Sequence, residues 1–243
     1  MKEWMFELLE LCGVSYGNNP RSIVEATQKA WLREPGSERW EMGEKDFGAE
    51  KNQGIRELAA RMGFIREVPP PEKNYMYCLL HGSVLPDFQT RLDYVSKLWG
   101  EGVRFKKVVI LTGQRNLDPK GDRLPFSHAC KTETEGVMML YEKAKLPPEV
   151  QALPLQIVDT PKQKGARPTT RDAIRAWLAM NPAPGTCLFI SNQPYVIYQE
   201  SVARNLMPAE FPFITVGSAV EPDSISIAVL LDTIARELWE TMI

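Results

Sequence analysis

From residue 75 onward, apolar runs of strand length alternate with amphipathic stretches of helix length. The runs fall at 75–81, 106–112, 154–159, 186–191 and 212–216. The stretches fall at about 86–100, 132–145, 170–180, 195–206 and 224–242. Phe88, Leu92, Val95 and Leu98 recur at three and four residues, the spacing of one helix face. Val137, Met138, Leu140 and Tyr141 do the same in the next stretch. Val108-Val109-Ile110-Leu111 and Cys187-Leu188-Phe189-Ile190 are apolar without a break, as strands covered on both faces must be. Five strands alternating with helices predict an α/β chain: a mostly parallel five-stranded sheet with helices on both faces.

The first 71 residues lack this alternation and predict a helical N-terminal extension, leaving 72–243 as the α/β domain. Asn19-Pro20 precedes a stretch of helical period that ends near Trp31-Leu32. A polar, glycine-containing stretch at roughly 35–53 reads as a connection, followed by a short helix at 55–63 with Gly63 as its C-cap. Pro69-Pro70-Pro71 can belong to no helix interior or central strand and marks the boundary.

Composition narrows the class without naming a ligand. The chain has 243 residues, 44% of them hydrophobic, 25% charged, with a net charge of −2. That balance gives no support to a nucleic-acid or membrane-surface partner. No apolar run approaches the ~20 residues of a membrane helix, and the acidic N-terminus does not read as a secretory signal. Cys12, Cys78, Cys130 and Cys187 lie far apart, with no Cys-x-x-Cys pair and only two histidines, so neither a zinc site nor any other metal site is expected. Cys78 and Cys187 sit in strand-like runs and read as small buried hydrophobes, consistent with a reducing cytoplasm.

Candidate chemistry gathers at the strand ends. In a parallel sheet, ligands bind just beyond the carboxyl ends of the strands. His81-Gly82-Ser83 ends the first strand and Thr112-Gly113-Gln114-Arg115 the second. Glycine permits positive φ and close approach of a ligand, and equally serves as a plain turn. Neither stretch is a dinucleotide fingerprint or a P-loop. On the ligand reading, a Gly113→Val chain keeps its fold and loses its affinity. Lys131-Thr132-Glu133-Thr134-Glu135 opens the third helix; Thr132 and Glu135 have capping-box spacing, and Glu135 or Glu133 could instead face the crevice beside Gly113. Arg167-Pro168-Thr169-Thr170-Arg171-Asp172 opens the fourth helix; Thr170 and Asp172 could hold a ligand, or Thr169 and Asp172 could form a cap. Lys162, Lys164 and Arg167 make its approach basic.

Ser191-Asn192-Gln193-Pro194-Tyr195 follows a buried strand, where polar residues are good ligand candidates; an N-cap with proline at N1 is the alternative. Tyr195 and Tyr198 could stack on a ring or simply pack. His81 reads as an acid/base group, an anion ligand or a hydrogen-bonded structural histidine. His128 lies in the polar 114–130 loop, which reads as a lid or a mobile surface loop. No nucleophile elbow, Ser-His-Asp order or paired-carboxylate motif is present, so no catalytic residue or cofactor is named.

In order along the chain, these motifs resemble the YdcF/SanA-like domain, a bacterial family largely lacking assigned function. Leu80-His81-Gly82 and Leu111-Thr112-Gly113-Gln114 match its strand–glycine turns, Arg91-Leu92-Asp93 its Arg-Leu helix, and Thr132-Glu133-Thr134-Glu135 its Ser-Glu-x-Glu start. Asp159 matches the strand-ending acid, Thr169-Thr170-Arg171-Asp172 the Asn-Thr-x-Glu segment, and Ile190-Ser191-Asn192 the last strand end. The match runs from about 75 to 206. The family's later His and Arg fall at Tyr195 and Tyr198, and one glycine of each pair is absent. The resemblance implies a Rossmann-like fold with a polar ligand crevice, for a nucleotide-like or an envelope-precursor molecule; a small anionic, nucleotide-like ligand is the expectation. Hydrolysis or group transfer on a phosphorylated substrate is one expectation. A non-catalytic binding or scaffold protein is the other.

Overall fold

The computed structural model describes residues 3–125, 129–162 and 167–242. Its helices are α1 (Glu3–Leu11), α2 (Pro20–Trp31), α3 (Ala49–Met62), α4 (Leu85–Gly100), α5 (Glu133–Lys143), α6 (Pro148–Gln151), α7 (Thr170–Leu178), α8 (Val196–Arg204) and α9 (Ile227–Glu240). Its strands are β1 (Asn74–His81), β2 (Arg104–Gly113), β3 (Leu155–Thr160), β4 (Cys187–Asn192) and β5 (Phe213–Ser218). The chain sorts into two compact units. One comprises residues 3–67, 193–201 and 219–242, the other residues 68–192 and 202–218.

The second unit holds one five-stranded sheet in the order β3-β2-β1-β4-β5. Every pairing is parallel, so the sheet is parallel throughout. The order reverses between β1 and β4, and such switch points are where open α/β sheets leave a crevice at the carboxyl edge. Cys78, Leu80, Val108, Ile110, Leu188 and Ile190 form one core face with Phe88, Leu92 and Val95 of α4 and Val137 and Leu140 of α5. α7 lies on β2 and β3, and its Trp177 meets Tyr77 and Phe211 edge-on at 5.3 and 5.5 Å. The unbroken apolar runs are thereby explained: helices cover both faces. Cys78 and Cys187 are fully buried, and burial raises both thiols, Cys187 to about 12.

The other unit is helical. Met5, Leu8, Ile23, Trp31, Ile55, Leu58, Leu231 and Ile234 pack into its core. Asn19 caps α2, its Oδ1 accepting the Ser22 N–H at 2.9 Å, with Pro20 in the first turn. Gly63 ends α3 in the left-handed conformation (φ +93°), as its position predicts. Several elements differ from the sequence expectation: α6 has no counterpart in it, and residues 193–201, including the start of α8, belong to the helical unit. α3 begins at Ala49, inside the stretch expected to be a connection. Gly54 sits within this helix, where a Cβ would stand 3.1 Å from Leu11 Cδ1 of α1. α9, placed by the alternation after the last strand, joins the helical unit through Leu230, Leu231 and Ile234.

Candidate functional site

The turn after β1 is closed by protein atoms. Neither Gly82 nor Gly113 adopts a positive φ; what each requires is room. At Gly82 a Cβ would collide with the Glu133 carboxylate and stand 2.8 Å from the Leu111 carbonyl O. Close approach is therefore the reason for this glycine, but the approaching group is a side chain of the same unit.

His81 is 2% exposed and its ring stacks on Phe189 of β4 at 5.2 Å. It thus spans the seam where the strand order reverses. Burial, with Arg91 adding to it, lowers its pKa to about 3, so the imidazole is neutral at pH 7. Its Nε2 has no hydrogen-bond partner among the described residues. Across the same seam, Arg91 of α4 donates Nε–H to Asn192 Oδ1 at 2.9 Å. Its Nη1 donates to the carbonyls of His81 and Gly82. Arg91 thereby ties both strand ends together. Ser83 Oγ–H donates to Asp87 Oδ2 at 2.9 Å, and Ser191 is fully buried.

Behind Gly82 lies a buried ion cluster. Arg115 donates Nε–H to Glu133 Oε2 at 2.9 Å and grips Asp122 in two bonds of 2.7 and 2.9 Å. Arg115, Asp122 and Glu133 are 4%, 0% and 5% exposed. Asp122 also accepts the backbone N–H groups of Leu85 and Asp118, and Glu133 meets Thr112 Oγ1 at 3.2 Å. Burial opposes charge on Asp122, but the hydrogen bonds from Arg115, Asp118 and Leu85 hold its carboxyl below the usual carboxylate value. Burial likewise opposes the Arg115 cation, and the two carboxylates more than reverse that. Arg115, a candidate ligand residue from its sequence position, is instead the pin between the β2 turn, α5 and the following loop. Residues 115–122 of that loop are anchored rather than free. His128 and Lys164 lie outside the described residues.

The turn after β2 opens outward. A cleft of about 380 Å³ lies at the carboxyl ends of β2 and β3, beside the start of α5. Gln114, Asn116, Thr134, Glu135, Asp159 and Lys162 are among its lining residues. Asp159 Oδ1 accepts Thr134 Oγ–H at 2.6 Å, and its Oδ2 accepts Gln114 Nε2–H at 3.0 Å. Lys162 Nζ donates to Asn116 Oδ1 at 3.0 Å. Glu135 closes the capping box with Thr132 and also accepts the Lys131 N–H at 2.6 Å. The capping reading of Glu135 thus holds, and its carboxylate still faces the cleft.

Gly113 flanks this region differently from Gly82. A Cβ there would stand 2.9 Å from Pro168 Cγ, so a Gly113→Val chain would have to displace Pro168 and is no clean test of ligand affinity. Thr169 and Asp172 make a reciprocal capping box at the start of α7, and Thr170 is the first helical residue behind that cap. Pro194 does not stand at the first helical position, since α8 starts at Val196. Tyr195 belongs to the helical unit, where the Arg39 guanidinium sits 3.9 Å from its ring centre.

Of the predicted residues, His81, Gly82, Ser83, Ser191 and Asn192 gather at the β1–β4 seam. Gln114 and Glu135 gather at the β2–β3 cleft. Asn116, Thr134 and Asp122 escaped the list of candidates. Thr134 sits two positions into a helix start whose Thr132/Glu135 spacing drew the eye to the cap. Asp122 had only its acidic character in a polar loop. No family model matches the chain, and no curated protein matches it. Among the described residues no helix is long and apolar enough to cross a membrane.

Proposed function

We propose that this chain binds a small molecule carrying one anionic end and several hydroxyls, of the sugar-phosphate or nucleotide kind, in the β2–β3 cleft. The observation that carries the proposal is that Lys162, Asp159 and Thr134 line one cleft at the sheet's carboxyl edge. Lys162 favours an anion. Asp159 and Glu135 are acceptors suited to sugar hydroxyls. Two carboxylates and one lysine in the lining disfavour a polyanion, since like charges repel. The resemblance to the YdcF/SanA-like family, which implies a polar ligand crevice, supports the same class of ligand.

Binding without catalysis is the form of this function favoured by Glu133. That acid is enclosed by Arg115 and Thr112 at 5% exposure, so it is not offered to a substrate. Calorimetric titration with ribose 5-phosphate, adenosine 5′-monophosphate and inorganic phosphate tests the proposal. A sugar phosphate should bind more tightly than inorganic phosphate, and Lys162→Ala should weaken it about tenfold, the effect of one charge-assisted hydrogen bond. Absence of saturable heat with both sugar phosphates, or an unchanged affinity in Lys162→Ala, would overturn it.

A further inference from the structure

The charges that line the β2–β3 cleft do not neutralise one another. Glu135 Oε2 accepts the backbone N–H groups of Lys131 and Thr132 at 2.6 and 3.4 Å, and its Oε1 accepts no hydrogen bond among the described residues. Asp159 is exposed, and its oxygens accept only from uncharged donors, Thr134 Oγ–H and Gln114 Nε2–H. Lys162 Nζ likewise donates to an uncharged acceptor, Asn116 Oδ1. Among the described residues, none of the three makes an ion pair. The contrast with the buried cluster behind Gly82 is direct, because there Arg115 is closed onto both Asp122 and Glu133.

The cleft therefore presents two separate poles, one lysine and two carboxylates, around a volume of about 380 Å³. Negative charge is in excess. A ligand that brings only a phosphate satisfies Lys162 and is opposed by Glu135 and Asp159. A hydroxyl beside either carboxylate leaves that excess in place, whereas a protonated amine removes it and makes the stronger, charge-assisted hydrogen bond. Carboxylate oxygens carry more than one acceptor site each, so Asp159 can take an ammonium without releasing Thr134 or Gln114.

We propose, resting on the sugar-phosphate reading of this cleft, that its ligand also carries a protonated amine: an amino-sugar phosphate, with its phosphate at Lys162 and its ammonium at Asp159 and Glu135. The two acids then decide which sugar phosphate is held. Calorimetric titration of the full chain at pH 7 with glucosamine 6-phosphate and glucose 6-phosphate tests this, because the two ligands differ only in an amine for a hydroxyl at one carbon. Glucosamine 6-phosphate should bind about tenfold more tightly, the effect of one hydrogen bond to a charged group. N-acetylglucosamine 6-phosphate, whose nitrogen is uncharged, should lose that advantage. Added salt should shrink it, since the cleft is open to solvent.

A Glu135→Gln, Asp159→Asn double variant should bind glucosamine 6-phosphate and glucose 6-phosphate equally, with Lys162 still holding both. Where that variant does not fold, Glu135→Gln alone keeps an acceptor for the helix cap and should narrow the preference. Equal affinity of the wild-type chain for the two ligands, with both binding, would overturn this proposal and leave the sugar-phosphate reading standing. Saturable heat with neither would overturn both. An acetylated ligand that matches the free amine, or an amine preference unchanged in the folded variant, would also overturn it.

Discussion

Gly82 and Gly113 end neighbouring strands, β1 and β2, in turns of nearly the same sequence character. The space beside Gly82 is occupied by a carboxylate and a backbone carbonyl, neither of which can give way. The space beside Gly113 is occupied by Pro168, a side chain on the approach to α7. Past Gly82 the chain is buried: Ser83 is 6% exposed and Arg91 ties the carbonyls down. Past Gly113 the chain emerges at Gln114 and lines a polar cleft. A strand ending in glycine therefore has two uses here. One is a joint around which a charged core is assembled, and the other is an opening to solvent. The residue itself does not say which; the group filling the missing Cβ does.

The strongest test of the joint is its cation. Arg115→Met leaves Asp122 and Glu133 buried without their partner, and breaking a buried pair this way costs about 4 kcal/mol. Urea denaturation at pH 7 should show that loss. Asp122 has its native pKa lowered, so its contribution is present above the ordinary carboxylate value of 3.8 and is lost as pH falls through the lowered native value. Without Arg115 the Asp122 carboxyl protonates more readily, and the gap between variant and wild type should narrow on acidification. A gap that is small at pH 7, or that widens as pH falls, would show that the cluster does not hold the turn.

Gly82→Ala against Gly113→Ala comes next, because it compares the turns directly. Overpacking against unyielding atoms costs about 3 kcal/mol, and against a movable proline nearer 1 kcal/mol. The ratio matters more than either value. Equal losses in thermal melts would erase the distinction between joint and opening.

Much of the scaffold was legible before any coordinates. The five strands fall within two residues of their predicted ends because unbroken apolar runs between helical stretches admit few alternatives. Leu85–Gly100 likewise follows from Phe88, Leu92 and Val95. Less was legible where tertiary contact overrides local signal. The start of α3 at Ala49, inside a polar stretch read as a connection, is one case. Arg91 entered only through the family resemblance, and its meaning depends on Asn192, 101 residues away. Glu133 and Glu135 are two residues apart, and the capping pattern selects Glu135. Nothing local reveals that Arg115 and Asp122 close around Glu133.

His81 sharpens the comparison at the first turn. Its native pKa, lowered to about 3, lies below the ordinary 6.5, so the unfolded chain binds the extra proton first. Folding stability from this residue is therefore full above pH 6.5 and drains as pH falls from 6.5 toward about 3. His81→Phe preserves the stack on Phe189 and removes both the titration and the unpartnered Nε2. The variant should be no less stable than wild type at pH 7 and should gain on it steadily down to pH 4. Parallel pH–stability curves would mean that His81 is hydrogen-bonded and protonatable in the folded chain.

The smallest expected change in stability lies at the second turn. Gln114 is exposed, and its amide contributes one hydrogen bond to Asp159 at 3.0 Å. Gln114→Ala should cost less than about 0.5 kcal/mol, because water replaces the donor at an exposed site. Asp159 keeps Thr134 as its partner. The cleft nevertheless loses a lining amide, and ribose 5-phosphate should bind more weakly while the melting temperature holds. That split, affinity without stability, is what an opening predicts and a joint does not. A large fall in melting temperature for Gln114→Ala would make the second turn as structural as the first.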